Sequence, residues 1–245
     1  MDYKYKISII TATYNAAEHL PRLIASLRAQ TDQDFEWVVA DGASMDGTLV
    51  LLADAQKSLK VIADSRPDFG IYDALNRAIQ LANGEYYLVL GADDELESTA
   101  IENFKFWITK SKADIVTARV WYGHTLKKAP RGPSWLRGQM AYITSHAVGT
   151  VFRKSLHCWN GIGMYSKAFP IGADQLFVLQ AQKQGAVFCV ADFCAGRFND
   201  MGVSSTNYLG TATDFFRIQM QFEWKSLQII LFILRLIKNF PKLAF

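Results

Sequence analysis

The first 97 residues alternate short apolar runs with segments in which apolar side chains recur every three or four positions. Short apolar runs are typical of buried strands, and the wider spacing is typical of amphipathic helices. We therefore predict strands at 7–13, 35–40, 59–63 and 84–93, and helices at 18–30, 48–56 and 72–82. The last helix should turn Leu75, Ile79 and Leu81 inward and end at an Asn83-Gly84 cap. This alternation predicts a mostly parallel sheet with right-handed crossovers.

Beyond Ala113 the pattern is less regular. Apolar runs predict strands at 115–122, 148–152 and 186–190, and helical spacing predicts a helix at 173–185. Gly, Pro and Arg make the stretch before residue 138 irregular, and no repeat or low-complexity linker divides the chain. We therefore expect one α/β fold with a Rossmann-like, mostly parallel sheet, helices on both faces and an elaborated second half.

The segment from Trp224 onward is apolar and basic, with no acidic residue after Glu223. Residues 229–234 are continuously apolar, but Arg235 and Lys238 interrupt the run well short of the ~20 residues that a membrane-spanning helix needs. This pattern favours an amphipathic helix that lies in a membrane interface. A terminal helix packed on the protein core or on another subunit is the alternative.

Composition narrows the class of protein. A chain of 245 residues with 50% hydrophobic and 20% charged residues suits one globular domain with a sizeable core. Cys158, Cys189 and Cys194 form no CxxC pair, so we expect reduced thiols in the cytosol and no zinc site. Residues 1–6 are polar and lead directly into a strand, so we expect no secretory signal.

The net charge of +3 is unevenly distributed. No acidic residue lies between Asp114 and Asp174, whereas eight basic residues do: Arg119, Lys127, Lys128, Arg131, Arg137, Arg153, Lys154 and Lys167. A stretch of one sign favours an anionic ligand or an anionic surface, and a solvated basic face is the alternative. Nucleic acid is not expected as a partner, because no recognised binding motif accompanies the charge.

Two adjacent carboxylates, Asp93 and Asp94, follow the apolar run that begins at Gly84. Open α/β sheets bind their ligands at the carboxyl ends of the strands. Adjacent carboxylates repel each other, and a divalent cation with oxygen ligands relieves that repulsion. The pair therefore predicts a Mg²⁺ or Mn²⁺ site that holds a diphosphate, or else a helix N-cap for a helix at 97–106.

Other polar residues lie near the predicted strand ends. The segment 13–15 offers backbone amides and an aromatic face to a base, and Asp41 offers an acceptor to a uracil ring or a ribose. An Asp-Gly turn explains Asp41 equally well. Arg66 and Asp68 follow the third strand, and Asp73 is either a dipole-favoured first-turn residue or a nucleotide contact.

Several phrases occur in a fixed order: Thr13-Tyr14-Asn15, Val39-Ala40-Asp41-Gly42, Gly70-Ile71-Tyr72-Asp73-Ala74-Leu75-Asn76, Leu90-Gly91-Ala92-Asp93-Asp94, Ser145-His146, Gly172-Ala173-Asp174 and 201–206. In this order they resemble the inverting family 2 glycosyltransferases along nearly the whole chain. The resemblance is greatest to bacterial members that build surface polysaccharides such as colanic acid and O-antigen.

The resemblance implies a GT-A fold that moves a sugar from a nucleotide diphosphate, here a UDP-sugar, to an acceptor hydroxyl with inversion. It divides the chain into a GT-A domain at 1–223, with a nucleotide-sugar half at 1–97 and an acceptor half at 98–223, and a membrane-associating helix at 224–245. The donor would be bound by Ala12, Thr13, Tyr14, Asp41, Arg66, Asp73 and Asp93.

The resemblance also implies a Mn²⁺ or Mg²⁺ cofactor. Asp93 matches the last, metal-binding carboxylate of the family's DxD element, whereas Gly91 stands where the first carboxylate is expected. Asp94 would then compensate as a second metal ligand or orient the donor sugar. The predicted metal ligands are therefore Asp93 and Asp94.

Asp174 is the predicted general base. Displacement at an anomeric carbon needs a carboxylate opposite the leaving diphosphate and within reach of the acceptor hydroxyl. A simple N-cap of the helix that follows is the alternative for Asp174. His146 would contact the donor or the acceptor near this base, although a lone histidine is more often structural.

The implied acceptor is a glycan on a polyprenyl diphosphate, or a lipopolysaccharide intermediate, at the inner face of the cytoplasmic membrane. The basic stretch would meet the anionic headgroup, and Phe232, Leu234 and Phe240 would enter the interface, which makes the protein cytoplasmic and peripheral. The alternative is an inactive, membrane-associated scaffold that binds sugar nucleotides. A receiver domain would carry its acidic pair after the first strand, and a nucleotidyltransferase would need a glycine-rich loop there.

Overall fold

The computed structural model describes residues 3–199 and 207–240. Within these residues, nine strands form one sheet. The strands are β1 (Tyr5–Thr13), β2 (Glu36–Asp41), β3 (Val61–Ser65), β4 (Gly84–Val89), β5 (Glu95–Leu96), β6 (Ile115–Tyr122), β7 (Thr125–Lys127), β8 (Thr150–Arg153) and β9 (Phe188–Phe198). The α-helices are α1 (Leu20–Arg28), α2 (Thr48–Ala55), α3 (Ile71–Leu81), α4 (Ala100–Ser111), α5 (Ser134–Arg137), α6 (Ala173–Lys183), α7 (Tyr208–Phe222) and α8 (Lys225–Lys238).

The strands lie in the order β3-β2-β1-β4-β8-β6-β9-β5, and β7 forms an antiparallel pair with β6 outside this order. The ladders from β3 to β4 are parallel, β8 is antiparallel to both of its neighbours, and β6 and β9 are parallel. Thr13 pairs with Asp41, and Asp41 pairs with Ser65, so three strand ends stand in register. The predicted α/β fold with a mostly parallel sheet is confirmed.

Helices cover both faces of the sheet, as predicted. On β4, Tyr86 and Leu88 enter a core with α1, α2 and α4, whereas Tyr87 and Val89 enter a second core with α3 and α6. Successive side chains of a strand point to opposite faces, so a strand between two cores is apolar at every position. That is why the strands appear in the sequence as continuous apolar runs.

The structure corrects several predictions around β4. The strand ends at Val89, and a turn follows in which the backbone N–H of Gly91 donates to the Asp94 carboxylate at 2.6 Å. Gly84 already pairs with β1, so the predicted Asn83-Gly84 helix cap is wrong, and Leu81 is 41% exposed rather than inward. The next long helix, α4, begins at Ala100, beyond reach of an N-cap at Asp93 or Asp94.

The C-terminal helices α7 and α8 pack against each other and against α5. Phe216 of α7 stacks on Phe232 of α8 with ring centroids 4.5 Å apart. Helix α8 hides Gln228 completely and exposes a row of apolar residues on its other side: Ile229, Ile230, Ile233, Leu234 and Ile237. One face of α8 is therefore packed on the protein, and the other is open. Among the residues described, no helix is long and apolar enough to cross a membrane.

A buried guanidinium joins α3 to the loops that follow β2 and β3. The side chain of Arg77 is 10% exposed and forms an ion pair with Asp64 at 3.0 Å and with Asp68 at 3.5 Å. It also donates to the carbonyl oxygens of Asp41 at 3.1 Å and Arg66 at 3.3 Å. Removing one partner of a buried ion pair leaves the others without compensation, which makes Arg77 a strong determinant of this edge.

We expect Arg77→Met to lower the free energy of unfolding by about 3 kcal/mol, because it removes the donor from two half-buried carboxylates and two backbone carbonyl groups. Arg66→Ala is the matched control, since Arg66 also pairs with Asp64 but its side chain is 61% exposed. An exposed pair contributes about 0.5 kcal/mol. Urea denaturation of both variants checks the difference, and equal losses would contradict it.

Candidate active site

A cavity of about 360 Å³ lies at the carboxyl ends of β1 and β4. Residues from both halves of the chain line it. Five of the predicted site residues are among them: Ala12, Asp93, Asp94, His146 and Asp174. The fold therefore brings the carboxylate pair Asp93 and Asp94 and the predicted base Asp174, some eighty residues apart in the sequence, to one cavity.

The Asp174 carboxylate is held by two donors. Its Oδ1 lies 2.8 Å from the Tyr72 hydroxyl of α3, and its Oδ2 accepts from Gln139 Nε2 at 2.7 Å. Burial, and next the charge of Asp174, raise the pKa of Tyr72 well above its usual value, so the phenol stays a donor. Helix α6 begins at Ala173, and its N-cap is Gly172, so the alternative of Asp174 as N-cap is wrong.

Helix α7 fixes the backbone that precedes Asp174. The carboxylate of Asp214 is buried and accepts from the N–H groups of Ile171 at 3.0 Å and Gly172 at 3.2 Å. The Tyr72 hydroxyl also lies 2.8 Å from the carbonyl oxygen of Ile171, so its one hydrogen is shared between that carbonyl and Asp174. These contacts set where α6 starts and therefore where its first-turn carboxylate stands.

The short helix α5 supplies the segment that carries Gln139. The last carbonyl groups of a helix have no partner inside it, and in α5 the first carbonyl, that of Ser134, accepts from the N–H of the C-cap residue Gly138. Side chains of α7 and α8 donate to the carbonyl groups of α5: Gln219 to Ser134 O at 2.7 Å, Gln228 to Trp135 O at 2.9 Å and Arg235 to Leu136 O at 2.9 Å. The C-terminal helices thus hold the segment that leads into Gln139.

The two carboxylates after β4 have different surroundings. Asp94 is fully buried, and its oxygens accept from the N–H groups of Gly91 at 2.6 Å and Asn199 at 3.2 Å. Burial raises the pKa of Asp94 to about 7. The carboxylate of Asp93 is half-buried and forms no hydrogen bond or ion pair with the described part of the chain. Asp94 therefore shapes the turn, and Asp93 is the carboxylate with free acceptors.

Gly91 makes room for this pair. A Cβ at that position would lie 2.8 Å from Asp93 Oδ1 and 3.1 Å from Asp94 Oδ2. A side chain at position 91 would therefore displace the Asp93 carboxylate and crowd that of Asp94. The glycine that departs from the DxD pattern thus leaves both carboxylates in their observed positions.

Asp41 holds the loop that follows β2. It is fully buried and accepts from Thr13 Oγ1 at 2.9 Å, Ser44 N at 2.8 Å, Ser44 Oγ at 2.5 Å and Ser65 Oγ at 2.6 Å. Burial raises the pKa of Asp41, but the hydrogen bonds from Ser44, Ser65 and Thr13 outweigh it and leave the pKa below its usual value. The carboxylate ties together the ends of β1, β2 and β3.

Three residues converge beside that loop. A Cβ on Gly42 would lie 3.0 Å from Asp68 Oδ2 and 3.2 Å from the Tyr14 ring, and Tyr14 is 71% exposed.

Asp73 pairs with Lys167 at 2.7 Å, and this hydrogen bond is the largest of the causes that lower the pKa of Asp73. Thr13, Tyr14, Asp41, Arg66 and Asp73 do not line the cavity, but Ile71 and Tyr72, next to Asp73, do.

The basic stretch is divided by the fold. Part of it forms ion pairs: Arg153 with Asp114 and Glu85, Arg119 with Asp192, and Lys167 with Asp73. Lys127 lines the main cavity, and burial lowers its pKa. A second cavity of about 290 Å³ shares Lys127 and Met140 with the first and is also lined by Lys128, Arg131 and Arg137. The unpaired charge is therefore concentrated beside the main cavity.

Sequence reasoning missed the residues that support the carboxylates. Gln139 lies in an irregular stretch and carries no motif, and α7, which supplies Asp214 and Gln219, was not predicted. Tyr72 lies within the motif at residues 70–76, but nothing in the sequence assigns it a role. The predicted motif at 201–206 lies outside the described residues. Among the described residues, no group of three or more His, Cys, Asp or Glu side chains could hold a metal ion.

Comparison with known proteins agrees with this geometry. The model of "Glycosyl transferase family 2" matches residues 8–169. A "PGL/p-HBAD biosynthesis glycosyltransferase" of Mycobacterium tuberculosis is 44% identical over 91 residues, which are 36% of this chain and 36% of that protein. The match thus spans little more than a third of the curated relative.

Solved structures share the fold. S. aureus TarS 1-349 in complex with UDP-GlcNAc has a TM-score of 0.72 at 19% identity, over 91% of this chain and 69% of that chain. The mannosyltransferase PcManGT from Pyrobaculum calidifontis in complex with GDP-Man and Mn²⁺ has a TM-score of 0.69 at 20% identity, over 99% of this chain and 74% of that chain. Because the family model covers more than half of the chain, this protein belongs to glycosyl transferase family 2 and has the GT-A fold.

Proposed function

We propose that this protein transfers a sugar, with inversion, from a UDP-sugar to a hydroxyl of a lipid-linked glycan. One observation carries the proposal: Asp174, held by Tyr72 and Gln139, lines the same cavity as the free carboxylate of Asp93. One cavity thus offers a base for an acceptor hydroxyl and a ligand for a metal-bound diphosphate.

Asp174 acts as the general base. Its carboxylate takes the proton of the acceptor hydroxyl while that oxygen attacks the anomeric carbon from the side opposite the diphosphate. Tyr72 and Gln139 keep the carboxylate in one orientation, which lowers the cost of reaching the reactive geometry. Since both are neutral donors, they stabilise the ionised form without adding a charge.

The residues present fit a divalent cation that one protein carboxylate holds. Asp93 has free oxygens, and the missing side chain at Gly91 leaves space beside them. Mg²⁺ and Mn²⁺ in phosphate-binding sites use one or two carboxylates together with substrate phosphates and water. Asp93 would hold the ion, and the ion would neutralise the charge of the departing diphosphate. Asp94 keeps its hydrogen bonds to the turn and is not proposed as a ligand of the ion.

The nucleoside would bind at the loops tied by Asp41. Tyr14 offers an exposed ring next to Gly42, whose missing side chain keeps the space between that ring and Asp68 open. Thr13, Asp41, Arg66 and Asp73 surround the same loops, and Ala12 and Ile71 continue them into the cavity. We propose a uridine nucleotide, as in the UDP-GlcNAc complex of TarS, which shares the fold.

The acceptor side combines positive charge with an apolar surface. The second cavity, with Lys128, Arg131 and Arg137, suits the phosphates of a polyprenyl-diphosphate acceptor. Next to it, Trp135 and Leu136 of α5 are partly exposed, and α5 is bonded to α8 through Gln228 and Arg235. We propose that this composite surface rests on the anionic inner face of the cytoplasmic membrane.

We expect Asp174→Asn to lower the rate of sugar transfer by about 10²- to 10⁴-fold, because an amide cannot take the hydroxyl proton. Binding of UDP, measured by calorimetry, should be unchanged. Asp192→Asn is the control, since Asp192 is an exposed carboxylate on β9 outside the cavity. Unchanged transfer by the Asp174 variant would favour the alternative of an inactive scaffold that binds sugar nucleotides.

We expect Mn²⁺ to raise the melting temperature of the UDP complex, because an ion that binds only the folded protein stabilises it. Asp93→Ala should abolish the gain from Mn²⁺ and keep the smaller gain from UDP alone. Differential scanning fluorimetry of a panel of nucleotide sugars, with and without Mn²⁺, makes the measurement. An equal Mn²⁺ effect in wild type and Asp93→Ala would contradict the metal assignment.

We expect the double variant Ile230→Gln/Ile237→Gln to bind vesicles rich in phosphatidylglycerol more weakly, by about tenfold or more. The two exposed isoleucine side chains gain free energy when they move from water into the membrane interface, and glutamine side chains do not. Val50→Gln is the control, since Val50 is 72% exposed on α2, away from this surface. Substitutions are preferable to truncation after Glu223, which would also remove Gln228 and Arg235 from α5. Equal sedimentation of all three proteins with the vesicles would exclude the membrane surface.

A further inference from the structure

A chain of hydrogen bonds runs from the cavity into the second core. His146 Nε2 lies 2.7 Å from the Tyr165 hydroxyl, which lies 2.9 Å from the Tyr87 hydroxyl. Tyr87 lies 2.8 Å from His157 Nε2, and His157 Nδ1 lies 2.9 Å from the carbonyl oxygen of Gly163. Only His146 lines the cavity, so the other members act on it from behind.

Counting hydrogens fixes the direction of every bond. A carbonyl oxygen only accepts, so His157 Nδ1 carries a hydrogen and, in the neutral ring, Nε2 is an acceptor. Tyr87 must then donate to His157. Each phenol has one hydrogen, so Tyr165 donates to Tyr87, and the oxygen of Tyr165 can only accept from His146.

We propose that this chain holds His146 as the Nε2–H tautomer, so that its Nδ1 is an acceptor for a sugar hydroxyl in the cavity. Nδ1 of His146 forms no hydrogen bond with the described residues, and the ring is held between Phe152, at 5.1 Å, and Tyr165, at 5.6 Å between centroids. His146 is thus a specificity residue, and Tyr165, Tyr87 and His157 are positioning residues. Only the identity of the hydroxyl rests on the proposed function.

The protonation states needed for this count are those that burial favours. Burial, first among several causes, lowers the pKa of His157 to about 4. Burial also lowers the pKa of His146, against the opposing charge of Asp174. Burial raises the pKa values of Tyr87 and Tyr165, so each phenol keeps its one hydrogen.

Nitrogen-15 NMR of the histidine side chains tests the tautomer directly, because protonated and bare ring nitrogens resonate far apart. We expect the bare nitrogen of His146 to be Nδ1 in the wild type. In Tyr87→Phe the hydroxyl of Tyr165 loses its acceptor, so donating to His146 Nε2 becomes the arrangement that restores a partner to its hydrogen. The tautomer ratio should then shift toward Nδ1–H by about tenfold, the equivalent of one hydrogen bond.

Tyr86→Phe is the matched control, since the buried Tyr86 hydroxyl donates to Ala113 O at 2.7 Å outside the chain. Tyr86→Phe loses one buried hydrogen bond and Tyr87→Phe loses two, so a merely structural role would lower both melting temperatures and leave the tautomer of His146 unchanged. An Nδ1–H tautomer in the wild type, or the same tautomer ratio in Tyr87→Phe as in the wild type, would overturn the proposal.

The source of the hydroxyl is tested on the wild type. One arm adds UDP-GlcNAc, UDP-galactose or UDP-glucose, with UDP as the blank, and the other adds octyl glucoside to the UDP complex. A shift of the His146 Nδ1 resonance in the first arm assigns a donor hydroxyl, and a shift in the second assigns an acceptor hydroxyl. No shift in either arm overturns the role of Nδ1. The tautomer measurement needs no turnover, so it stands apart from any failure of the transfer reaction.

Discussion

The antiparallel ladder between β4 and β8 is the contact on which the site depends. It joins the parallel half of the sheet to the mixed half, with Tyr87 opposite Phe152. Arg153 of β8 strengthens the junction by bonding Glu85 at 2.7 Å. Because β4 leads into Asp93 and β8 follows His146, pairing these strands brings Asp93 and His146 to the same cavity.

The polar groups of the site are held by partners distant in sequence. Asp174 is bonded to Tyr72 and Gln139, which lie 102 and 35 residues away. The segment before Gln139 is held in turn by α7 and α8 through the carbonyls of α5. A buried polar group without a partner is costly, so each donor in this series constrains the next. The C-terminal helices therefore help to position the proposed base, and α8 in addition presents the exposed apolar face described above.

Much of the fold, and the location of the site, could be predicted from local pattern. The strands β1, β2 and β6 were anticipated within a few residues, because strands buried on both faces leave an unbroken apolar run. Asp93 could be singled out because open α/β sheets bind ligands at the carboxyl ends of their strands, and Asp174 was indicated by the resemblance to the family. Helix α7 and Gln139 could not, since a polar residue in an irregular stretch has no local signature of the partner it will meet.

The sequence by itself determined the alternation of strands and helices, the carboxylates at the sheet edge and the apolar, basic character of the last helix. Only the tertiary structure decided which carboxylate has free oxygens. Asp94 accepts hydrogen bonds from backbone N–H groups, whereas Asp93 accepts none from the described residues. It also decided that a side chain at position 91 would crowd both carboxylates and that α8 has one packed and one open face. The reason is physical: hydrophobic periodicity is a property of neighbouring residues, whereas hydrogen-bond satisfaction depends on groups that only the complete fold brings together.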